Sequence, residues 1–197
     1  KLYFIVPIFN DSITGGTLYD FNLIKHLKKK FIRVVLKSVK HDISCLQINR
    51  LIKSIPSQSK VIIDGYLSHK ISHSLHTRDI WLLIHHPCML EDNDYVMSNI
   101  KLFFKEKKSY NNVKSIITVS KTIRETVKKL SKIKKKISIA YPGVDKKYFN
   151  IDNSKATNDI ISIGNVIPRK GYGNLIEAFG FSLVSPTFCN FGNFKPT

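Results

Sequence analysis

Cysteine, arginine and long apolar runs are scarce in this sequence of 197 residues. Its three cysteines, Cys45, Cys88 and Cys189, lie far apart and form no C-x-x-C pair. This spacing argues against a zinc site or a disulfide framework and fits a reducing compartment. The apolar run at residues 2–9 is too short for a membrane helix, and no signal-peptide cleavage site follows it. We therefore expect a cytoplasmic location.

The positive charge of the chain is carried mostly by lysine. The formal net charge is +18, yet only five of the 32 basic residues are arginine. Proteins that read phosphates and bases favour arginine for its planar, bidentate guanidinium. No basic strand interleaved with aromatic residues and no recognition-helix motif is present, so we expect no nucleic-acid partner. Scattered lysines indicate a solvated surface, and the alternative is peripheral contact with an anionic membrane.

Short apolar runs alternate with longer, lysine-rich stretches of helical pattern. Most of the runs are continuous, as expected for strands buried on both faces of a sheet. The predicted strands are 2–9, 32–36, 60–64, 80–85, 115–119, 137–141 and 159–163, and the predicted helices are 16–30, 43–54, 66–76, 94–109, 121–132 and 170–179. In the first helix we expect an apolar stripe, formed by Leu18, Phe21, Ile24 and Leu27, to face the core. This alternation predicts an α/β fold, with a Rossmann-like parallel sheet flanked by helices.

A polar stretch without periodicity divides the chain into two parts. Residues 1–145 form the first predicted domain, residues 146–158 the linker, and residues 159–179 the first strand, loop and helix of an incomplete second domain. Residues 180–197 are rich in Phe, Gly, Pro and Ser, so we interpret them as an atypical tail that follows a truncation or a reading-frame change. We expect no further strand or helix there. Residues 37–60 are few for a complete crossover, which predicts an abbreviated sheet.

Two glycines follow the first predicted strand. Gly15 and Gly16 open the first helix, where glycine lets the backbone approach a ligand and the free N–H groups attract anions. The alternative is a tight turn that binds no ligand. The dinucleotide fingerprint G-x-G-x-x-G is absent, so no nicotinamide cofactor is expected.

Two adjacent histidines follow the fourth predicted strand. His85 and His86 stand at its carboxyl end, the side on which parallel sheets bind ligands. An imidazole donates or accepts a hydrogen bond near neutral pH, which suits contact with a sugar hydroxyl. A purely structural pair is the alternative. Zinc ligation is not expected, because adjacent side chains point in different directions and no third ligand is nearby in the sequence.

Two loops complete the set of candidates. Residues 141–145 (YPGVD) close the sixth predicted strand, and the stretch GNVIPRKG joins the seventh strand to its helix. In this second loop Arg169 and Lys170 have the charge to neutralise a diphosphate, and Gly164 and Asn165 are further candidates for ligand contact. A plain turn and a solvated basic loop are the alternatives.

Six segments, in this order, resemble family 4 glycosyltransferases, which have the two-Rossmann-domain architecture called GT-B. The segments are the glycines at 15–16, VIIDGYLSH at 61–69, LIHHPCMLED at 83–92, IITVSKTIRETV at 116–127, ISIAYPGVD at 137–145 and ISIGNVIPRKGYGNLIEAF at 161–179. Each segment alone is a weak signal, but their order and spacing follow the running pattern of the family. The resemblance covers residues 1–179. It implies the N-terminal, acceptor-side half of a GT-B fold and the beginning of the donor-side domain.

The resemblance implies retaining transfer of a sugar from a nucleotide sugar to an acceptor hydroxyl, with no metal and no other cofactor. His85 matches the family histidine that contacts the donor sugar and is the implied catalytic residue, with His86 as a substitute. The glycine pair is expected to lie against the sugar diphosphate. Arg169 and Lys170 fall on the basic patch that stabilises the departing diphosphate in the family.

Two departures from the family pattern bear on activity. Asn165 stands where many members have an arginine, and the Glu-x7-Glu element that holds the donor in the family does not occur in this sequence. We therefore expect the chain to be inactive alone. The alternatives are a non-catalytic half-domain that needs a partner chain, and a basic α/β module that binds anions or membranes.

Overall fold

A computed structural model describes residues 1–8, 14–90, 96–133, 135–149, 161–164, 170–180 and 187–189. The chain divides into two compact units, Lys1–Pro142 and Gly143–Thr197. The division lies three residues before the end of the first domain predicted from the sequence, residues 1–145.

The first unit contains a six-stranded sheet in which every pair of neighbouring strands is parallel. Its strands are β1 (Leu2–Ile8), β2 (Val34–Lys40), β3 (Lys60–Asp64), β4 (Ile80–Ile84), β5 (Ser115–Thr118) and β6 (Ile137–Ile139). The strand order across the sheet is β2-β1-β3-β4-β5-β6. The predicted α/β class, with a Rossmann-like parallel sheet flanked by helices, is confirmed.

Four α-helices and several short 3-10 turns connect these strands. The helices are α1 (Gly15–Lys29), α2 (Cys45–Ser54), α3 (Val96–Asn112) and α4 (Lys121–Ser131), and the 3-10 turns are Gly65–Lys70, His73–Leu75 and Cys88–Leu90. The side chains of Ser44 and Ser120 accept hydrogen bonds from N–H groups in the first turns of α2 and α4. Such capping satisfies N–H groups that have no partner within the helix.

The core lies on both faces of the sheet. Phe4, Ile62 and Leu83 face α1 and pack with Ile24. Their chain neighbours on β1, β3 and β4 face the opposite side, where residues of α2, α3 and α4 such as Ile48, Tyr110 and Val127 cover them. Successive side chains of a strand point to opposite faces. A strand buried on both faces therefore needs the continuous apolar runs seen in the sequence.

The strand order creates a switch point between β1 and β3. From β1 the chain runs through α1 to β2 on one side, and the later strands β3 to β6 extend to the other side. In open parallel sheets the crevice outside the carboxyl ends of the strands at such a point is the usual ligand site. The loops that follow β1, β3 and β4 are therefore where a site is to be sought.

Three expectations about local structure are wrong. The predicted helix at 66–76 is two 3-10 turns, because Asn49 bonds to the backbone of Lys70 and Ser72 and interrupts a continuous helical ladder. The prediction that the apolar stripe of α1 faces the core is also wrong, because two of its members, Leu18 and Phe21, are exposed.

The expected abbreviation of residues 37–60 is the third of these errors. This segment contains the end of β2, the ten-residue helix α2 and the start of β3, which together make a complete crossover. It is short because tight connections join its elements.

The second unit contains β7 (Ile161–Ile163), α5 (Tyr172–Gly180), β8 (Thr187–Cys189) and a 3-10 turn at Lys146–Tyr148. Strand β8 pairs in parallel with β7. The expectation of one strand and one helix alone is therefore wrong, because the segment read as an atypical tail contributes a paired strand. Most of the predicted linker, residues 150–158, lies outside the described residues.

Among the described residues, no helix combines the length and the apolar character that crossing a membrane requires.

Candidate functional site

The glycine pair forms the first turn of α1 and is held by a reciprocal cap. Thr17 N donates to Thr14 Oγ1 at 3.2 Å, and Thr14 N donates to Thr17 Oγ1 at 2.8 Å. This capping box fixes where the helix begins. It leaves Gly15 and Gly16 at the start of the helix, where N–H groups face away from the helix body.

Gly16 lies against the ring of His85. A Cβ added at Gly16 would be 3.3 Å from Cδ2 of His85, whereas one added at Gly15 would have no heavy atom within 4 Å. The ring of Tyr19 meets that of His85 edge-on, with the centroids 5.1 Å apart. The Tyr19 hydroxyl in turn donates to the carbonyl of Ala140 at 2.8 Å. The glycine turn and the histidine predicted from the sequence are therefore neighbours at one edge of the sheet.

Two buried carboxyl groups lie next to His85. Nε2 of His85 is 2.9 Å from Oδ1 of Asp20 and 3.8 Å from Oδ2 of Asp64. The side chains of Asp20 and Asp64 are only 3% and 5% exposed, and that of His85 is 19% exposed. Asp20 is carried by α1, and Asp64 ends β3. We call these two residues the acidic pair.

The acidic pair binds protons more tightly than carboxyl groups in water. Burial raises the pKa of Asp20 to about 7, and its hydrogen bond with Asp64 lowers it in part. Burial and the charge of Asp20 raise the pKa of Asp64 to about 7. The charge of His85 and the hydrogen bond from the N–H of Tyr66 act in the opposite direction and lower this pKa in part. Burial lowers the pKa of His85, although Asp64 acts in the opposite direction. Each group is thus shifted toward its neutral form.

Asp20, Asp64 and His85 are also the described residues that could hold a metal ion. Each offers one ligand atom, and these atoms lie within 4.8 Å of one another. Two carboxylates and an imidazole are donors that divalent cations accept. The expectation that no metal is needed, which the family resemblance implies, stays a prediction. The separate premise that His85 has no further ligand nearby is wrong, because folding brings Asp20 and Asp64 beside it.

A third buried carboxyl group supports the loop after His85. Glu106 of α3 is fully buried and accepts four hydrogen bonds. The donors are Ser68 Oγ at 3.1 Å, Cys88 N at 3.1 Å, Met89 N at 2.7 Å and Tyr110 Oη at 2.6 Å. Burial raises the pKa of Glu106, and these donors lower it in part. Glu106 thereby fixes the Cys88–Leu90 turn that follows the two histidines.

The other residues predicted in this unit are less central. His86 is half-buried beside His85. The YPGVD segment at residues 141–145 is exposed and lacks regular structure. Neither observation assigns a role in ligand contact.

In the second unit the structure describes two of the four predicted residues of the basic loop. Gly164 follows β7, and a Cβ there would be 2.9 Å from Tyr172 Oη and 3.8 Å from Lys170 Cδ. Lys170 is exposed. Asn165 and Arg169 lie outside the described residues.

The acidic pair and Glu106 were not predicted from the sequence. Asp64 carried a usable signal, because it is a charged residue at the carboxyl end of a buried strand, where ligand sites form. Asp20 was hidden because the wrong face of α1 was expected to be buried. Glu106 was hidden within a lysine-rich helix that resembles a solvated surface.

Comparison with known proteins finds no match: no family model, no curated protein and no solved structure matches this chain.

Proposed function

We propose that this chain belongs to a glycosyltransferase that moves a sugar from a nucleotide sugar to an acceptor hydroxyl with retention of configuration. The observation that carries the proposal is the contact between Gly16 and His85 at the carboxyl edge of the sheet. Sequence motifs far apart in the chain meet there, at the switch point where parallel sheets bind ligands. The resemblance to family 4 enzymes supplies the reaction.

In this proposal, different groups of the chain contact the diphosphate and the sugar of the donor. The N–H groups at the glycine turn approach the diphosphate, and the ring of His85 contacts the sugar. In the family that the chain resembles, a basic patch offsets the charge that develops on the departing diphosphate, and Arg169 and Lys170 match that patch in sequence. We assign no general base. No metal or organic cofactor is part of the proposal.

We expect the chain by itself to bind nucleotide sugars weakly and to turn over little. In the family that it resembles, a Glu-x7-Glu element holds the donor, and this sequence contains no glutamates at that spacing. Catalysis therefore requires the remaining donor contacts to come from elsewhere.

A titration followed by NMR tests the proposal at the site itself. Nucleotide sugars that differ in base and sugar are added to the isotope-labelled chain up to about 10 mM, a range that detects weak binding. The signals of Gly15, Gly16 and His85 are expected to shift saturably with at least one of them. The nucleoside diphosphate without sugar should shift His85 less. If no nucleotide sugar moves these signals, the proposal is wrong.

His85→Gln and His26→Gln form the matched pair for this titration. His26 is exposed on α1, and its Nδ1 lies 2.8 Å from the carbonyl oxygen of Asn22. Replacement of His85 is expected to weaken the sugar-dependent shifts of Gly16, and replacement of His26 should leave them unchanged. Normal sugar turnover by the chain alone would refute the expectation of weak activity.

The second candidate function is peripheral contact with an anionic membrane. Phe31 is 97% exposed and has a φ of 59°, a left-handed conformation that is uncommon for a residue of its size. It follows Lys28, Lys29 and Lys30 at the end of α1, and lysines near an exposed aromatic suit an anionic lipid surface. The cytoplasmic location remains part of the proposal, and the exposed Cys45 is a free thiol.

Sedimentation with vesicles tests this second candidate. The chain should bind vesicles that contain anionic phospholipid and should dissociate from them in high salt. It should not bind neutral vesicles. Phe31→Asn should weaken binding without loss of stability, because asparagine tolerates the left-handed conformation. Leu46→Ala, at an exposed residue of α2, is the control. Equal binding by the chain and by Phe31→Asn would contradict this role for Phe31.

A further inference from the structure

We propose that the groove between α1 and the edge strand β2 binds a free single-chain lipid with an anionic head. The alkyl chain lies on the apolar floor of the groove, and the head lies against Lys25 and Lys28. This inference goes beyond the proposed function, which depends on the contact between Gly16 and His85. Either one can fail while the other holds.

The groove follows one side of α1. It has a volume of about 460 Å³ and lies between this helix and strands β1 and β2. The helical residues that line it are Thr17, Asp20, Phe21, Ile24, Lys25 and Lys28. Their spacing of three and four residues places them on one face of the helix, over a length of roughly 16 Å. A groove of this length and volume suits one extended alkyl chain.

The groove exists because α1 leaves the face of β2 partly uncovered. Ile24 packs with residues of β1, β3 and β4. Leu36 of β2 pairs with Phe4 of β1, so both side chains face the same side of the sheet. Phe4 is fully buried, whereas Leu36 is 43% exposed. Helix α1 therefore covers the centre of the sheet and leaves apolar surface open at its β2 edge.

The open surface is apolar on both sides of the groove. Val6 and Leu36 line it from the sheet, and Phe21, which is 64% exposed, lines it from the helix. An apolar ligand that covers such a concave surface removes it from water. A peptide would need partners for its backbone N–H and C=O groups, and these side chains offer none. An alkyl chain has no such requirement.

Lysines lie at one end of the groove. Lys25 and Lys28 line it and are exposed. Neither forms an ion pair within the part of the chain that the structure describes. Lys29 and Lys30 follow at the same end of α1 and add positive charge there. Positive charges beside an apolar surface complement an anionic head that is joined to an alkyl chain.

The other end of the groove has a carboxyl group. Asp20 also lines the groove, and its Oδ1 lies 2.9 Å from Nε2 of His85. It is separated from Lys28 by roughly two turns of helix. A carboxyl group offers no positive charge to an anionic head. The head therefore lies with the lysines, and the alkyl chain runs from there toward Phe21 and Val6.

An NMR titration tests the site with dodecyl phosphate as the probe. It is added to the isotope-labelled full chain below the concentration at which it forms micelles, and the signals of Phe21, Lys28 and Leu36 are expected to shift saturably. Butyl phosphate has the same head on a short chain, and dodecyl maltoside has the same chain on an uncharged head. Each should bind at least about tenfold more weakly. An unshifted Leu36, or equally tight binding of dodecyl maltoside, would overturn the proposal.

Two double variants of equal charge test the lysines. Lys25→Gln with Lys28→Gln is expected to weaken dodecyl phosphate about tenfold and to leave dodecyl maltoside unchanged. Lys53→Gln with Lys121→Gln removes the same charge from exposed positions on α2 and α4 and should leave both affinities unchanged. An equal loss in the two double variants would show that net charge alone attracts the probe, which contradicts a site at this groove.

Two substitutions test the apolar lining. Phe21→Ala, at an exposed helical position where alanine is favourable, should fold and weaken dodecyl phosphate about tenfold. Leu36→Glu places a negative charge on the floor and should abolish binding. Leu46→Ala, at an exposed residue of α2, is the control. Circular dichroism shows whether each variant is folded. If folded Phe21→Ala binds the probe as tightly as the unmodified chain does, the groove is not the site.

Two results separate this inference from the functions proposed above. If nucleotide sugars shift the signals of Gly16 but dodecyl phosphate leaves Leu36 unshifted, the transferase proposal holds and the lipid site fails. The reverse result supports the lipid site alone. If anionic vesicles bind the chain while monomeric dodecyl phosphate does not, the lysines contact a membrane surface and the groove proposal is wrong.

Discussion

Glu106 and the acidic pair are buried carboxyl sites in the same unit, and their surroundings differ sharply. Glu106 accepts from four donors. The acidic pair has His85 and one backbone N–H as its donors, and one of its oxygens has no partner among the described residues. The four donors tie Glu106 to the structure around it, whereas burial with fewer donors raises the pKa values of the acidic pair. The difference separates support of the fold from the chemistry of the site.

Position in the fold agrees with this distinction. Glu106 lies on α3 and bonds to the turn after His86, so it acts on the backbone. The acidic pair lies at the switch point of the sheet, in contact with the ring that meets Gly16. Burial of polar groups without full compensation is destabilising and persists where it has a function.

The largest expected effect comes from breaking the satisfied site. Glu106→Ala leaves two backbone N–H groups, Ser68 and Tyr110 buried without an acceptor. We expect a loss of about 4 kcal/mol in the free energy of unfolding, measured by urea denaturation. The control Glu125→Gln, at a half-exposed residue paired with Arg124, should change it by less than about 0.5 kcal/mol. Similar values for the two variants would contradict the role of Glu106.

A substitution between the two sites should disturb both. A Cβ at Gly65 would lie 3.0 Å from the Ile84 Cα and from the Leu83 carbonyl oxygen. Both are backbone atoms of β4, which cannot move away as a flexible side chain could. Gly65→Ala is therefore expected to destabilise the protein by about 2–3 kcal/mol and to shift the NMR signals of Asp64. Gly143→Ala has open space around it and should be neutral. A neutral Gly65→Ala would show that the packing here is looser than described.

The pH dependence of stability should distinguish the two sites. The folded-state pKa of the pair, about 7, lies above the ordinary value of 3.8, so the folded chain keeps a proton that the unfolded chain releases. The stabilisation that this bound proton contributes is complete at pH values below the unfolded-state pKa. It is lost as the pH rises toward the folded-state pKa. Between about pH 5 and pH 7 we expect a loss of about 2 kcal/mol.

Asp64→Asn should flatten this dependence, because an amide hydrogen replaces the proton at every pH. The pKa of Glu106 is also raised, so Glu106 adds a pH dependence of the same sign to the stability of both proteins. Its contribution therefore cancels when the two proteins are compared. Urea denaturation at a series of pH values measures the difference. An equal slope in the two proteins would show that the pair does not hold the proton.

The smallest expected effect concerns the glycine turn. Gly16→Ala places a methyl group against the ring of His85, which must move by a few tenths of an ångström. Stability should change by less than about 1 kcal/mol, but the His85 ring signals should shift. Gly15→Ala, with open space at that position, should leave them in place. The reverse order of shifts would contradict the contact between Gly16 and the ring.

Much of the fold could be predicted from the sequence because its central strands are buried on both faces. Strand β3 coincides with its prediction at 60–64, and β4 differs from its prediction by one residue. Strand β2 was placed too early, since it lies at the sheet edge with exposed Lys37 and Lys40 that weaken its apolar signal. Strand β8 was missed because three residues carry no recognisable pattern.

The candidate site could be predicted only in part. The glycine turn and His85 were found because both follow strands, and parallel strands bring such residues to one edge. The acidic pair depends on which face of α1 is buried, and the apolar residues Leu18 and Phe21 indicated the wrong face. Tertiary packing placed Asp20 inside, and no local pattern encodes that choice.

Infrared spectroscopy gives the most direct measurement of the central claim, that the acidic pair keeps a proton near pH 6 because burial raises its pKa values. At about pH 6 the folded chain should show the carbonyl band of a protonated, buried carboxyl group, as expected for a raised pKa. The band should persist in Asp42→Asn and vanish in both Asp20→Asn and Asp64→Asn. Absence of the band in the unmodified chain, or its survival in both of these asparagine variants, would contradict the account.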